Sequence, residues 1–181
     1  MKTLAWICLV AAFANLNLMA QDPDALRKER DKLIERGLWR DAVNFHEEKL
    51  SPLSDAGSGN DLASATEALG RLNAWKEFDG LVERAIATHP DNAWLLTSAA
   101  KVYRSAPHAG RIIAGEFERT GGYRYGRGRS GPDEEPAAAT GQAVNTQYRD
   151  RVRALQLLRQ ATKSARDVES QVAAWGLMAT N

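Results

Sequence analysis

The sequence predicts an all-α protein, a solenoid of antiparallel helix hairpins interrupted by one long Gly/Arg-rich loop. Three observations carry that expectation. Apolar residues recur at helical spacing over most of the chain, Leu62, Ala65, Thr66 and Leu69 return 34 residues later as Leu96, Ala99, Ala100 and Tyr103, and turn-forming residues fall where helices must stop. A repeated large–small–small–large face is what paired helices need to approach to 8–10 Å.

The bulk properties are those of an ordinary globular chain: 181 residues, 44% hydrophobic, 26% charged, formal net charge +1. Both signs are interspersed, so total charge favours neither nucleic acid, nor a membrane surface, nor an acidic substrate. The first twenty residues read as a secretory leader: Lys2, an uncharged apolar run from Leu4 to Phe13, polar Asn15 and Asn17, then small Ala20 before Gln21. The run is shorter than the roughly 20 residues a bilayer span requires. Cleavage after residue 20 leaves acidic and basic residues equal in number and removes the only cysteine, Cys8. The expected mature protein is exported, to a periplasmic, envelope or extracellular location, and is stabilised by packing without disulfides.

Residues 21–119 are expected to form the helical hairpins. Asp24 can cap a first helix carrying Leu26, Leu33 and Ile34, which stops at Gly37; Trp39, Ala42, Val43, Phe45 and Leu50 mark its partner. Ser54 to Asn60 reads as a flexible linker. The Leu62–Leu69 helix follows, and then a stripe of Trp75, Phe78, Leu81, Val82, Ala85 and Ile86 that ends at His89-Pro90. A helix over Ala93–Arg104 is stopped by Pro107, and His108–Arg119, with Ile112, Ile113 and Phe117, is expected as its partner helix. Residues 120–144, dense in Gly, Pro and Arg, read as a loop without regular structure. In 145–181, Asn145 or Thr146 caps a helix burying Val152, Leu155 and Leu158 with Ala154, Ala161 and Ala165. A last helix, Val168–Ala179, carries Val172, Ala173, Trp175, Leu177 and Met178. It reads as half of a hairpin, so the sequence is also compatible with a truncated fragment that has no independent function.

Gly37, Trp39, Asp41 and Ala42 in this order, with the 34-residue period, resemble tetratricopeptide repeats. Phe78, where that family has alanine, and the Ser54–Asn60 linker are departures. The resemblance implies that the first helix of each pair lines a concave groove for a protein or peptide partner. On this sequence the exposed groove positions are Glu67, Arg71, Trp94, Thr97, Lys101 and Arg104, and three of them are basic, which suits an acidic or extended peptide. Residues 111–119 (RIIAGEFER) and 149–161 (RDRVRALQLLRQA) are further similar to the helical N-terminal region of large exported bacterial alpha-2-macroglobulin-like proteins. That likeness implies a leading scaffold ahead of β-sandwich domains that bind proteinases. The chain has no Cys-x-Glu-Gln thioester motif, so covalent trapping does not carry over.

Other motifs point to chemistry less well. Gly126 to Gly131 matches G-x-G-x-x-G but lacks a preceding strand and is followed by Asp133, Glu134 and Glu135, which repel phosphate. Tyr123, Arg124, Tyr125, Arg127 and Arg129, with Arg119, resemble an RGG-type segment and give the alternative reading, a nucleic-acid or polyanion contact. His46, His89 and His108 have no ligand-spaced neighbours, and no nucleophile–base arrangement is visible. The expectation is a binding protein without catalysis, cofactor or metal, whose partner is a protein or peptide rather than nucleic acid.

Overall fold

A computed structural model describes residues 22–121 and 141–179. The leader over 1–20 and the loop candidates Tyr123, Arg124, Tyr125, Arg127 and Arg129 lie outside the described residues. Helix α1 (Pro23–Glu35) is capped by Asp22, not Asp24: the Asp22 carboxylate accepts the Asp24 N–H at 3.1 Å. Pro23 occupies the first turn, where its missing N–H leaves nothing unpaired. The helix closes with Gly37 at φ +70, its N–H donating to the Ile34 carbonyl while that of Leu38 donates to Leu33, both at 2.9 Å.

Helix α3 (Ser58–Arg71) closes in the same way, with Asn73 in the left-handed position (φ 53) and Ala74 N–H reaching the Leu69 carbonyl. In both cases a tryptophan two residues on opens the next segment. Trp39 begins α2 (Trp39–Phe45), which continues as a π-helical turn over His46–Leu50. Trp75 begins a 3-10 turn (Trp75–Glu77) that leads into α4 (Phe78–Thr88).

The segment expected as a flexible linker is ordered. Ser58 Oγ donates to the Leu53 carbonyl at 2.9 Å and accepts the Asp55 N–H at 3.0 Å, so 58–60 form the first turn of α3. Gly59 is there because of its neighbour: a Cβ at this position would lie 2.6 Å from the Trp94 carbonyl oxygen. Helix α5 (Ala93–Ser105), capped by Asn92 Oδ1 on the Leu95 N–H, packs on α3 at this point. Leu62 and Leu96, the pair that defines the period, are both fully buried in one core together with Ala65, Leu69, Ala99 and Ala100.

The chain departs from an all-α fold after α5. Residues 108–119, expected as a helix, form β1 (Ala109–Ile113) and β2 (Glu116–Thr120); β3 (Gln142–Asn145) lies in the segment expected to be irregular. The sheet is antiparallel in the order β2-β1-β3, with Ile113 opposite Glu116 and Gly110 opposite Val144. Ala114 and Gly115, both at positive φ, make the tight turn whose twist matches the strands. The helical reading failed because these strands show no apolar alternation; the most buried side chain of β2 is Arg119.

Helix α6 (Gln147–Ser164) then returns to pack along α5, the most extensive helix–helix contact in the described residues. The sheet is thus an excursion between two helices that pack on each other. The buried face of α6 is Asp150, Ala154, Leu157, Leu158 and Ala161; Leu155, expected inside, is 38% exposed. The face begins with a carboxylate, which shifts the apparent phase of the apolar stripe. Helix α7 (Val168–Ala179) packs on α5 and α6 through Ala174, whereas Val172 and Trp175, expected as core, are 65% and 63% exposed. The molecule is therefore mostly helical with a small sheet.

Glycine contacts make the α3–α5 seam testable. Gly59→Ala is expected to cost about 2 kcal/mol, since the added methyl meets backbone and one helix must shift. At Gly80, exposed in α4, a Cβ meets only the mobile end of Arg84. Gly80→Ala is expected to be neutral or to stabilise by up to about 1 kcal/mol. Denaturant midpoints of the two variants check this; equal effects would contradict the close approach.

Candidate binding groove

Helices α3, α5 and α7 lie side by side, and a recess of about 620 Å³ runs between them. Asn60, Ala63 and Glu67 line it from α3, Trp94, Thr97 and Lys101 from α5, and Glu169 and Ala173 from α7, with Trp75 and Phe78 also in its wall. A second recess of about 450 Å³ shares Ala56 and Trp94 with the first and leads past Asp91 and Asn92 to Arg166 and Asp167. Trp94, half-buried, stands where the two meet.

Four of the six groove residues expected from sequence come together here: Glu67, Trp94, Thr97 and Lys101. Arg71 and Arg104 are exposed and do not line the recess. Arg71 pairs with Glu67 at 3.1 Å, and its guanidinium carbon lies 5.6 Å from the centre of the Trp39 ring. The basic surplus expected for this face therefore reduces to Lys101, which shares the groove with Glu67 and Glu169. Thr97 is 3% exposed, and its hydroxyl has no hydrogen-bond partner among the described residues. The α7 wall was not anticipated, and helical periodicity alone could not place it.

Two charged clusters, both unforeseen, hold the frame of this groove. In the first, Asp61 of α3 (1% exposed) accepts from Arg27 Nη2 at 2.9 Å and Arg30 Nη1 at 2.5 Å, and Arg27 also reaches Asp55 at 2.6 Å. This ties α1 to α3 beside the groove residue Asn60. In the second, Asp150 of α6 accepts from Arg119 of β2 at 2.8 and 3.0 Å, from His108 Nδ1 at 2.9 Å and from Thr146 Oγ1 at 2.8 Å. Arg119 also donates to both oxygens of Asp79 on α4 and to the Pro107 carbonyl, and lies over the Phe78 ring.

Burial on its own would raise the Asp150 pKa, but the hydrogen bonds from Arg119, His108 and Thr146 overcome it. They hold the carboxyl well below the usual carboxylate range. Every one of these carboxylates is committed to a cation, so the clusters act as fasteners between elements. Arg119, counted from sequence among the arginines that could meet phosphate, is withdrawn from that role by Asp79 and Asp150. Among the described residues no three His, Cys, Asp or Glu side chains gather as a metal site, and no helix is long and apolar enough to cross a membrane.

Comparison of the chain with protein-family models, with curated proteins and with solved structures gives no match.

Removing one partner of a fully buried pair strands the other charge, whereas an exposed pair is screened by water. Arg119→Ala is expected to cost about 3–5 kcal/mol, and Arg40→Ala, which breaks the exposed Arg40–Glu77 pair, less than about 1 kcal/mol. Urea unfolding of both variants measures the difference; similar costs would show that Arg119 is solvated.

Proposed function

We propose that this chain is an exported, non-catalytic scaffold of the tetratricopeptide type that holds an extended segment of a protein partner in the groove between α3, α5 and α7. The observation that carries this reading is that α3, α5 and α7, which supply most of the groove's lining, are alternate helices of the chain. Each is separated from the next by one helix that packs behind it, with the sheet as an added excursion before α6. The 34-residue recurrence of the α3 face in α5, and the shared closure at Gly37 and Asn73, support a repeat origin. The leader-like first twenty residues support export.

Trp94 is the natural anchor site. A Leu-sized side chain seated against it gains about 1.5–3 kcal/mol from burial, too little alone for specific binding. Lys101 of α5 and, in the adjoining recess, Asp91 and Asn92 just before that helix offer polar groups on either side of Trp94, which suit the backbone and charged residues of an extended segment rather than a compact ligand. Placement ahead of macroglobulin-type domains is part of the same proposal. Its support is the sequence likeness of 149–161, which is helical here; 111–119, the other stretch of that likeness, forms the β1–β2 hairpin and lends none.

The reading is tested by selecting peptides from a random display library on the purified chain and measuring their affinities by fluorescence anisotropy. Selected peptides are expected to share a motif with one large apolar residue and to lose at least 10-fold in affinity for Trp94→Ala. They should retain affinity for Trp175→Ala, an exposed tryptophan outside the groove. A shared motif indifferent to Trp94→Ala would place the binding face elsewhere.

A further inference from the structure

His46 serves neither the groove nor the two ion-pair clusters. It is 3% exposed, and neither ring nitrogen has a hydrogen-bond partner among the described residues. It opens the π-helical turn of α2, where the Ser51 N–H reaches back to the His46 carbonyl at 2.7 Å, and it borders a void of about 10 Å³, the size of one water. The void is closed by Leu50 and Leu53, by Ser58 of α3, by Ala85 of α4, by His89 after α4, and by Leu95 of α5. His89 Nε2 already lies 2.8 Å from the Ser51 carbonyl.

The charges that act on His46 are Arg30 of α1, Glu47 of its own helix and Asp61 of α3. Both carboxylates are already engaged, Asp61 by Arg27 and Arg30 and Glu47 by Arg84 of α4. A proton added to the imidazole would therefore create a buried cation with no free acceptor, close to another cation. Burial accordingly pushes the His46 pKa down to about 4, against about 6.5 for a hydrated imidazole.

The hairpin that carries His46 also contributes little to the main apolar core. Of α1 and α2, only Val43 belongs to the main buried core, with Trp39 packed against its edge; the rest of the hold is polar or local, through the Arg27–Arg30–Asp61 cluster, the exposed Arg40–Glu77 and Glu47–Arg84 pairs, the His89–Ser51 contact and the buried side chains Leu26, Ala42 and Leu50. Local opening of such an element is cheaper than global unfolding. We propose that His46 is an acid-sensitive latch: its protonation is accommodated by the α1–α2 hairpin lifting away from α3–α5, where water reaches the ring, rather than within the closed fold.

The direction follows from proton binding. Above pH 6.5 the ring is neutral in both forms and the latch is shut. Below 6.5 the open form takes up a proton that the closed form does not, so opening is favoured progressively until about pH 4, where both are protonated. The carboxylates of Asp55, Glu77 and Asp150, whose folded pKa values are lowered, lose their contribution only as pH falls through and below their unfolded values of about 4 to 4.5. Because Asp61 adjoins Gly59 and Asn60 in the first turn of α3, the latch and the groove share that turn.

Hydrogen exchange of the full chain at pH 7 and pH 5, corrected for the intrinsic exchange rate, tests the latch. The α1–α2 amides are expected to lose about 20-fold in protection while α5 and α6 keep theirs, and His46→Leu is expected to abolish the difference. Protection in α1–α2 that does not change with pH, or an equal loss in His46→Leu, overturns the proposal. If that variant does not fold, the imidazole titration of wild type by NMR decides: a midpoint far below 6.5 in the closed form supports the latch, and one near 6.5 overturns it.

Discussion

Helix α5 is the constraint on which the rest of the structure is built. Leu95, Leu96, Ala99, Ala100, Val102 and Tyr103 place apolar surface nearly all round it, so no single partner helix can cover it. Four neighbours do so instead: α3 through the glycine approach at Gly59, α6 along its length, α7 through Ala174, and α4 with Phe78 against Tyr103 at 5.6 Å between ring centres. The face left uncovered, between α3 and α7, is the groove. Its position is thus a consequence of how much of α5 the other helices can reach.

The second requirement is electrostatic. Between α5 and α6 the chain leaves the helical layer to form a sheet and must rejoin it in register. Arg119 achieves this by sending its guanidinium from β2 into a site built from Asp79, Asp150 and the Pro107 carbonyl, where each donor is answered. Opposite it, the Arg27–Arg30–Asp61 cluster fastens α1 to α3. Buried pairs of this sort add little net stability over apolar packing, yet they penalise misplacement heavily, because a stranded charge is costly. Their contribution is to fix which elements meet.

What could be read from sequence follows from this division. Most helices whose burial is apolar were legible: Leu62 and Leu96, the Phe78–Ile86 stripe, and the stops at Gly37 and Pro90 each announced themselves by spacing or turn chemistry, but α7, apolar nearly all round, gave no sign that Val172 and Trp175 would face outward. Elements whose burial is polar were not. The sheet shows no alternation because its inward anchor is an arginine, and the α6 stripe was phased wrongly because its first buried residue is Asp150. Linker-like composition at Ser54–Asn60 concealed a helix start, since glycine there answers a neighbouring backbone rather than a need for flexibility. Of the groove positions expected from the repeat resemblance, Glu67, Trp94, Thr97 and Lys101 border the recess, although Thr97, expected exposed, is buried, and the third wall depended on where α7 docks.

The account stands on α5 being the most enclosed element in solution. Native-state hydrogen exchange at neutral pH measures this directly, amide by amide. Leu96 to Val102 are expected to exchange only through global unfolding and to be the slowest in the chain, slower than any amide of α1 or α7. Exchange of those α5 amides through local openings, at rates matching α1, would contradict it.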